Sequence, residues 1–166
     1  FSQDDLQKIL NRRDSAKAPS SLKVDESIAG GGNRYYQVEA IKRVCANIEA
    51  GHRKSLLVMA TGTGKTRVSA ALVDVLMRSG HVKNVLFLAD RVALVRQAKN
   101  AYQNYLPNVS LCNLLSNKDE RGARIVFSTY PTILNAIDNE RNEDGDRMYT
   151  VAHFDLIIVD EAHRSI

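Results

Sequence analysis

Leu56-Leu57-Val58-Met59-Ala60-Thr61-Gly62-Thr63-Gly64-Lys65-Thr66 is the stretch on which the reading of this chain turns. Ser55 to Ala60 is a short, continuously apolar run, the pattern of a strand buried on both faces. Gly62 and Gly64 then allow the backbone to turn tightly, so that successive N–H groups point inward at an anion. The following helical pattern, Lys65 to Ser79, carries Val68, Leu72, Val75 and Leu76 on one stripe and has Gly80 after it. Its amino-terminal dipole adds to the same point. Thr61, Gly62, Thr63 and Gly64 therefore read as a phosphate cradle. Lys65 is placed to reach the β- and γ-phosphates of a nucleotide, and the Thr66 hydroxyl to ligate magnesium. The strict phosphate-loop pattern has glycine where this chain has Met59, so the match is partial.

A second apolar run, Leu156-Ile157-Ile158-Val159, stops at Asp160-Glu161-Ala162-His163. A carboxylate just past a buried strand is costly unless a cation or good hydrogen bonds satisfy it. Asp160 suits a magnesium ion and Glu161 suits the polarisation of an attacking water. Taken alone, the pair would equally suit a helix N-cap. His163 could sense the γ-phosphate or be structural.

Outward from these two runs, helix and strand patterns alternate. Gln37 to Ala50 reads as a helix, with Gly51 suited to the position after its end. Asn84 to Ala89 reads as a strand, Arg91 to Leu106 as a helix stopped by Pro107, and Val109 to Leu115 as a weaker strand. Arg124 to Ser128 reads as a strand, Pro131 to Ile137 as a short helix, Asp138 to Met148 as a charged loop, and Asp155 to Val159 as the last strand. Apolar strands alternating with helices predict an α/β fold, a mainly parallel sheet covered on both faces. Functional loops of such a fold gather at the carboxyl ends of the strands, where the phosphate loop, Asp90, Thr129 and Asp160 all fall.

Residues 1–33 read as a leader: a short helix at Asp4 to Asn11, then a polar stretch closing in Gly30-Gly31-Gly32-Asn33, a linker boundary. The chain opens on Phe1 and is expected to be part of a longer protein. Cys45 and Cys112 lie far apart in apolar company and read as reduced core thiols. No Cys/His spacing suits zinc, no run reaches membrane-spanning length, and no signal-peptide pattern is present, so a cytoplasmic location is expected. The net charge of +4 is compatible with a polyanionic partner but also with an ordinary solvated surface.

From Arg34 onward the motifs resemble the first RecA-like motor domain of superfamily-two helicases and translocases. Ala60-Thr61-Gly62-Thr63-Gly64-Lys65-Thr66 is similar to motif I and Asp160-Glu161-Ala162-His163 to motif II. Leu88-Ala89-Asp90-Arg91, with Leu94 and Gln97, is similar to motif Ia. Ser128-Thr129-Tyr130-Pro131 is similar to a following nucleic-acid-contact motif, and Arg34-Tyr35-Tyr36-Gln37 to the adenine-reading Q motif. Met-Ala-Thr-Gly-Thr-Gly-Lys-Thr and Phe-Asp-Leu-Ile-Ile-Val-Asp-Glu-Ala-His-Arg-Ser further resemble the restriction, or motor, subunit of type I restriction-modification enzymes.

The resemblance implies a RecA-like P-loop three-layer fold over residues 34–166, ATP and Mg2+ as cofactors, and translocation along double-stranded DNA. It implies modification and specificity subunits as partners, and a nuclease elsewhere in the parent protein. It assigns Arg34 and Gln37 to adenine, His163 to coupling, and Arg91, Gln97, Thr129 and Tyr130 to DNA. Arg91 and Thr129 could instead cap their own helices. It further implies a central strand, carrying motif III, between the phosphate-loop strand and the Asp160 strand. That strand lies beyond Ile166, so the two flanking strands are expected to close on each other or to have the gap filled by another chain. Without the second motor domain and its arginine fingers, these residues alone are expected to turn ATP over negligibly. Another superfamily-two DNA or RNA helicase, or a nucleotide-dependent binding module without motor activity, stays open as an alternative.

Overall fold

Four strands, β1 (Val85–Ala89), β2 (Leu111–Asn113), β3 (Ile125–Thr129) and β4 (Leu156–Val159), form one sheet in the order β2-β3-β1-β4. All three pairings are parallel. Val85 lies opposite Ile125 on one side and Leu156 on the other, and Leu111 lies opposite Ile125. The computed structural model describes residues 7, 16–30, 34–116, 122–141, 145, 147–150 and 152–162. The expected helix at Asp4 to Asn11 lies outside the described residues except for Gln7, and Gly31 to Asn33 lie outside them altogether.

The helices are α1 (Glu26–Ala29), α2 (Tyr35–Glu49), α3 (Lys65–Arg78), α4 (Val92–Tyr105) and α5 (Tyr130–Asn139). Side chains alternate across a strand, so each inner strand feeds two cores. Val85, Phe87, Ala89, Ile125 and Phe127 pack with the apolar stripes of α2, α3 and α4. Leu86, Leu88 and Val126 face the other way, onto Ile133 and Ala136 of α5 and onto Tyr149. The result is the expected three-layer α/β arrangement, with helices on both faces of a parallel sheet. Cys45 and Cys112 are free and buried, and burial pushes the Cys45 thiol up to about 11.

Two regions differ from the sequence reading. Residues 16–30 are not a detached polar stretch. Asp25 caps α1 by accepting from the Ser27 N–H at 2.9 Å, and Val24, Ile28 and Ala29 are buried in the main core. The polar residues between them hid three apolar contacts too few to show a period.

The second difference concerns Ser55 to Ala60, which forms no strand. Leu56 is 78% exposed and Val58 89% exposed. β4 pairs with β1 alone, and Ile157 and Val159 on it are exposed. The two segments therefore do not close on each other, the first of the two arrangements expected. A strand exists only where a neighbour answers its N–H and C=O groups. An apolar run records what would be buried beside such a neighbour, and none flanks this segment among the described residues.

Phe127 sits against Phe87 and Tyr102 at ring-centroid distances of 5.3 Å and 5.2 Å. Phe127→Ala is expected to cost about 3–5 kcal/mol in urea unfolding, whereas Val58→Ala should stay within about 0.5 kcal/mol. Equal costs at the two positions would contradict the separation of Ser55 to Ala60 from the core.

Candidate nucleotide-binding site

The phosphate loop is built without its strand. Gly62 and Gly64 take φ values of 79° and 93°, the left-handed region that glycine alone enters freely. Thr63 closes the turn on Ala60, donating to its carbonyl from Oγ1 at 2.6 Å. Gly64 is the N-cap residue of α3, so the loop opens directly onto the helix that carries Lys65 and Thr66.

Gln37 secures the loop from the side. It is fully buried at 0% exposure, and its Nε2 donates to the Thr63 carbonyl at 2.6 Å. The Tyr36 hydroxyl donates to the same carbonyl at 3.3 Å. Gln37 is thus not an exposed helix-surface residue. Its Oε1 is buried and has no hydrogen-bond partner, an acceptor available to an exocyclic amino group such as that of adenine. Arg34 stands beside it: a Cβ added at Gly30 would lie 3.0 Å from Gln37 Oε1 and 3.2 Å from Arg34 Cδ. Gly30 therefore lets the backbone of 16–30 approach this corner. The role of Tyr36 was not read from the sequence, because a tyrosine on a helix start carries no signal of which backbone group its hydroxyl will meet.

Across the cleft, Lys65 Nζ donates to Glu161 Oε1 at 2.9 Å, joining residues 96 positions apart. Glu161 has φ 52°, the one non-glycine residue in the left-handed region among the described residues. Asp160 Oδ1 accepts from the Glu161 N–H at 3.0 Å, and the Asp160 N–H donates to the Leu88 carbonyl at 2.9 Å. β1 thus fixes where the acidic pair sits. Asp160 and Glu161 lie in a turn and Ala162 begins a 3-10 turn; the helix that the pair would cap lies outside the described residues. His163 lies outside the described residues.

The donor set fits magnesium. A hydroxyl at Thr66 and a carboxylate at Asp160 are hard oxygen donors, and no group of three or more His, Cys, Asp or Glu comes together among the described residues. Such donors suit an ion that keeps waters and takes phosphate oxygens, which is magnesium's habit.

The DNA-contact candidates line the same end of the sheet. Arg91 follows β1, is exposed, and stands 3.6 Å from the Asp90 carboxylate through Nε. It is the N-cap residue of α4 but makes no side-chain cap. Gln97 is exposed on α4. Thr129 ends β3 as the N-cap residue of α5, also without a side-chain cap; its Oγ1 bonds the Thr132 hydroxyl at 3.0 Å. Tyr130 is half-buried. No helix among the described residues is long and apolar enough to cross a membrane.

Comparison with known proteins accords with this geometry. Residues 32–166 match the family described as Type III restriction enzyme, res subunit. The EcoKI type I restriction enzyme endonuclease subunit of Escherichia coli K12 is 36% identical over 140 residues, covering 80% of this chain and 12% of that protein. The EcoAI endonuclease subunit of Escherichia coli is 34% identical over 137 residues, covering 82% of this chain and 16% of that protein. The chain thus spans less than a fifth of either relative. The SWI2/SNF2 ATPase core of Sulfolobus solfataricus, solved in complex with dsDNA, superposes with a TM-score of 0.64 over 86% of this chain and 29% of that one, at 15% identity. At that identity the likeness speaks for the fold.

A Cβ at Gly64 would fall 2.5 Å from Gln37 Nε2 and would also carry the left-handed φ. Gly64→Ala is expected to destabilise the fold by about 1–3 kcal/mol in urea unfolding. The double variant with Gln37→Ala should lose less than the sum of the two single variants, because the clash is removed while the φ strain stays. A Gly64→Ala protein as stable as wild type would show that the loop does not depend on this close approach.

Proposed function

This chain belongs to the type III restriction enzyme res subunit family, and we propose that it is the ATP-binding part of a DNA-translocating motor in a type I restriction endonuclease subunit. The observation that carries the reading is the contact of Lys65 with Glu161 at 2.9 Å, which puts the phosphate loop and the acidic pair on one cleft. Residues 34–166 form the first motor domain in this reading. Double-stranded DNA is the track, modification and specificity subunits are the partners, and the setting is cytoplasmic. The relatives' names support the choice.

The residues divide the work as follows. Arg34 and the free Oε1 of Gln37 recognise the adenine edge. The N–H groups of Thr61 to Gly64 and the start of α3 cradle the phosphates. Lys65 exchanges its Glu161 partner for phosphate oxygens, a trade of one charge-assisted contact for another. That exchange frees the Glu161 carboxylate to orient a water and accept its proton. Thr66 and Asp160 hold magnesium, which when bound neutralises the developing phosphate charge. His163 couples this end to the rest of the motor. Arg91, Gln97, Thr129 and Tyr130 hold the DNA backbone, which a motor must grip without regard to sequence.

Titration of a fluorescent ATP analogue into the full-length protein tests the assignment. Lys65→Ala should weaken binding by about tenfold to a hundredfold, the range for a lost hydrogen bond to a charged group. Glu161→Gln should keep binding and lower the steady-state ATPase rate by about a hundredfold or more, the size of a general-base loss. A Glu161→Gln protein with undiminished turnover would remove Glu161 from the role.

A further inference from the structure

Tyr102 is fully buried, with its ring edge-on to Phe87 of β1 at 5.7 Å and to Phe127 of β3 at 5.2 Å. Phenylalanine would fill that space without needing a partner for a hydroxyl. The hydroxyl has one: it donates to Ser69 Oγ at 2.8 Å. Ser69 Oγ in turn donates to the Thr66 carbonyl at 2.8 Å. A serine bonding back to a carbonyl one turn earlier slightly weakens a helix, so the arrangement is not there for helix stability. Burial pushes the Tyr102 hydroxyl above its ordinary value, and the Asp160 carboxylate adds to the rise. The group therefore stays protonated as a donor, within the field of Asp160.

The chain of hydroxyls runs from the two central strands, through α4, into the first turn of α3. It ends on the residue whose side chain is assigned to the metal. We propose that Tyr102 is a positioning residue for Thr66, acting through Ser69 to hold the first turn of α3 in the orientation that presents the Thr66 hydroxyl to magnesium. The proposal rests on the nucleotide reading given above. Its anchor is the sheet itself. β1 and β3 run on from the Tyr102 ring to Asp90 and Thr129, so the relay also joins the magnesium seat to the end of the sheet where DNA is placed.

The test is the affinity of the full-length protein for a fluorescent ATP analogue, measured across a magnesium titration. Tyr102→Phe and Ser69→Ala should each raise the magnesium concentration at half-maximal tight binding by about fivefold to tenfold, the effect of one neutral hydrogen bond. Affinity without magnesium should stay within about twofold in both, and Ser69→Thr, which keeps the hydroxyl, should follow wild type. Thermal melting identifies which variants are folded; Ser69→Ala carries the test if Tyr102→Phe is not. Wild-type magnesium dependence in a folded variant, or an equal loss with and without magnesium, overturns the positioning role. A wild-type protein that binds no nucleotide at all would instead overturn the nucleotide reading on which it rests.

Discussion

The burial of α3 against α1, α2 and α4 is the constraint from which the site follows. Val68, Ala70, Ala71, Leu72, Val73, Val75 and Leu76 are all buried along it. The phosphate loop has no paired strand in front of it, so this helix holds it from behind. At about 25 cal/mol per Å² of apolar surface removed from water, a face of that extent outweighs any single polar contact in the cleft. The amino end of α3 is thereby set at the carboxyl ends of the strands, and Lys65 arrives opposite Glu161.

Polar contacts then refine what burial has placed. The Thr63 carbonyl takes both the Gln37 amide and the Tyr36 hydroxyl. The shape of the loop therefore depends on α2, which carries both residues. Glu161 is held in a strained left-handed conformation, with Lys65 on its side chain and Asp160 on its N–H. Strain of this kind persists only where surrounding contacts over-determine it, and it collects at sites that must rearrange. Here the contact that would have to open is the one between Lys65 and Glu161, the pair on which the proposed function rests. Tyr102 adds a third tie, from the aromatic centre of the core to the turn that bears Thr66.

Helices α2 to α5 and the inner strands were legible because each carries its own periodic burial signal. The stripe of α3, the apolar runs of β1 and β3, and Pro131 at the start of α5 mark elements whose partners are already beside them. Two kinds of feature were not legible. Val24, Ile28 and Ala29 enter the core from a segment too polar and short to show a period. Leu56 to Val58 show the opposite error, a strand signal without a strand, because composition reports a preference for burial and says nothing of whether a neighbour is present to grant it.

The sequence by itself determined the chemical inventory: a glycine-gated loop ending in Lys65 and Thr66, a strand ending in Asp160 and Glu161, and a glutamine before them. Residue type and spacing along the chain suffice for that, since turn, helix and strand preferences are local. Tertiary structure alone decided which of these groups meet. It turned Gln37 inward onto Thr63, carried Lys65 across 96 positions to Glu161, and linked Tyr102 through Ser69 to Thr66. Such meetings arise from packing helices onto two faces of a sheet, and no local preference encodes the distance between residues that only the shared core brings together.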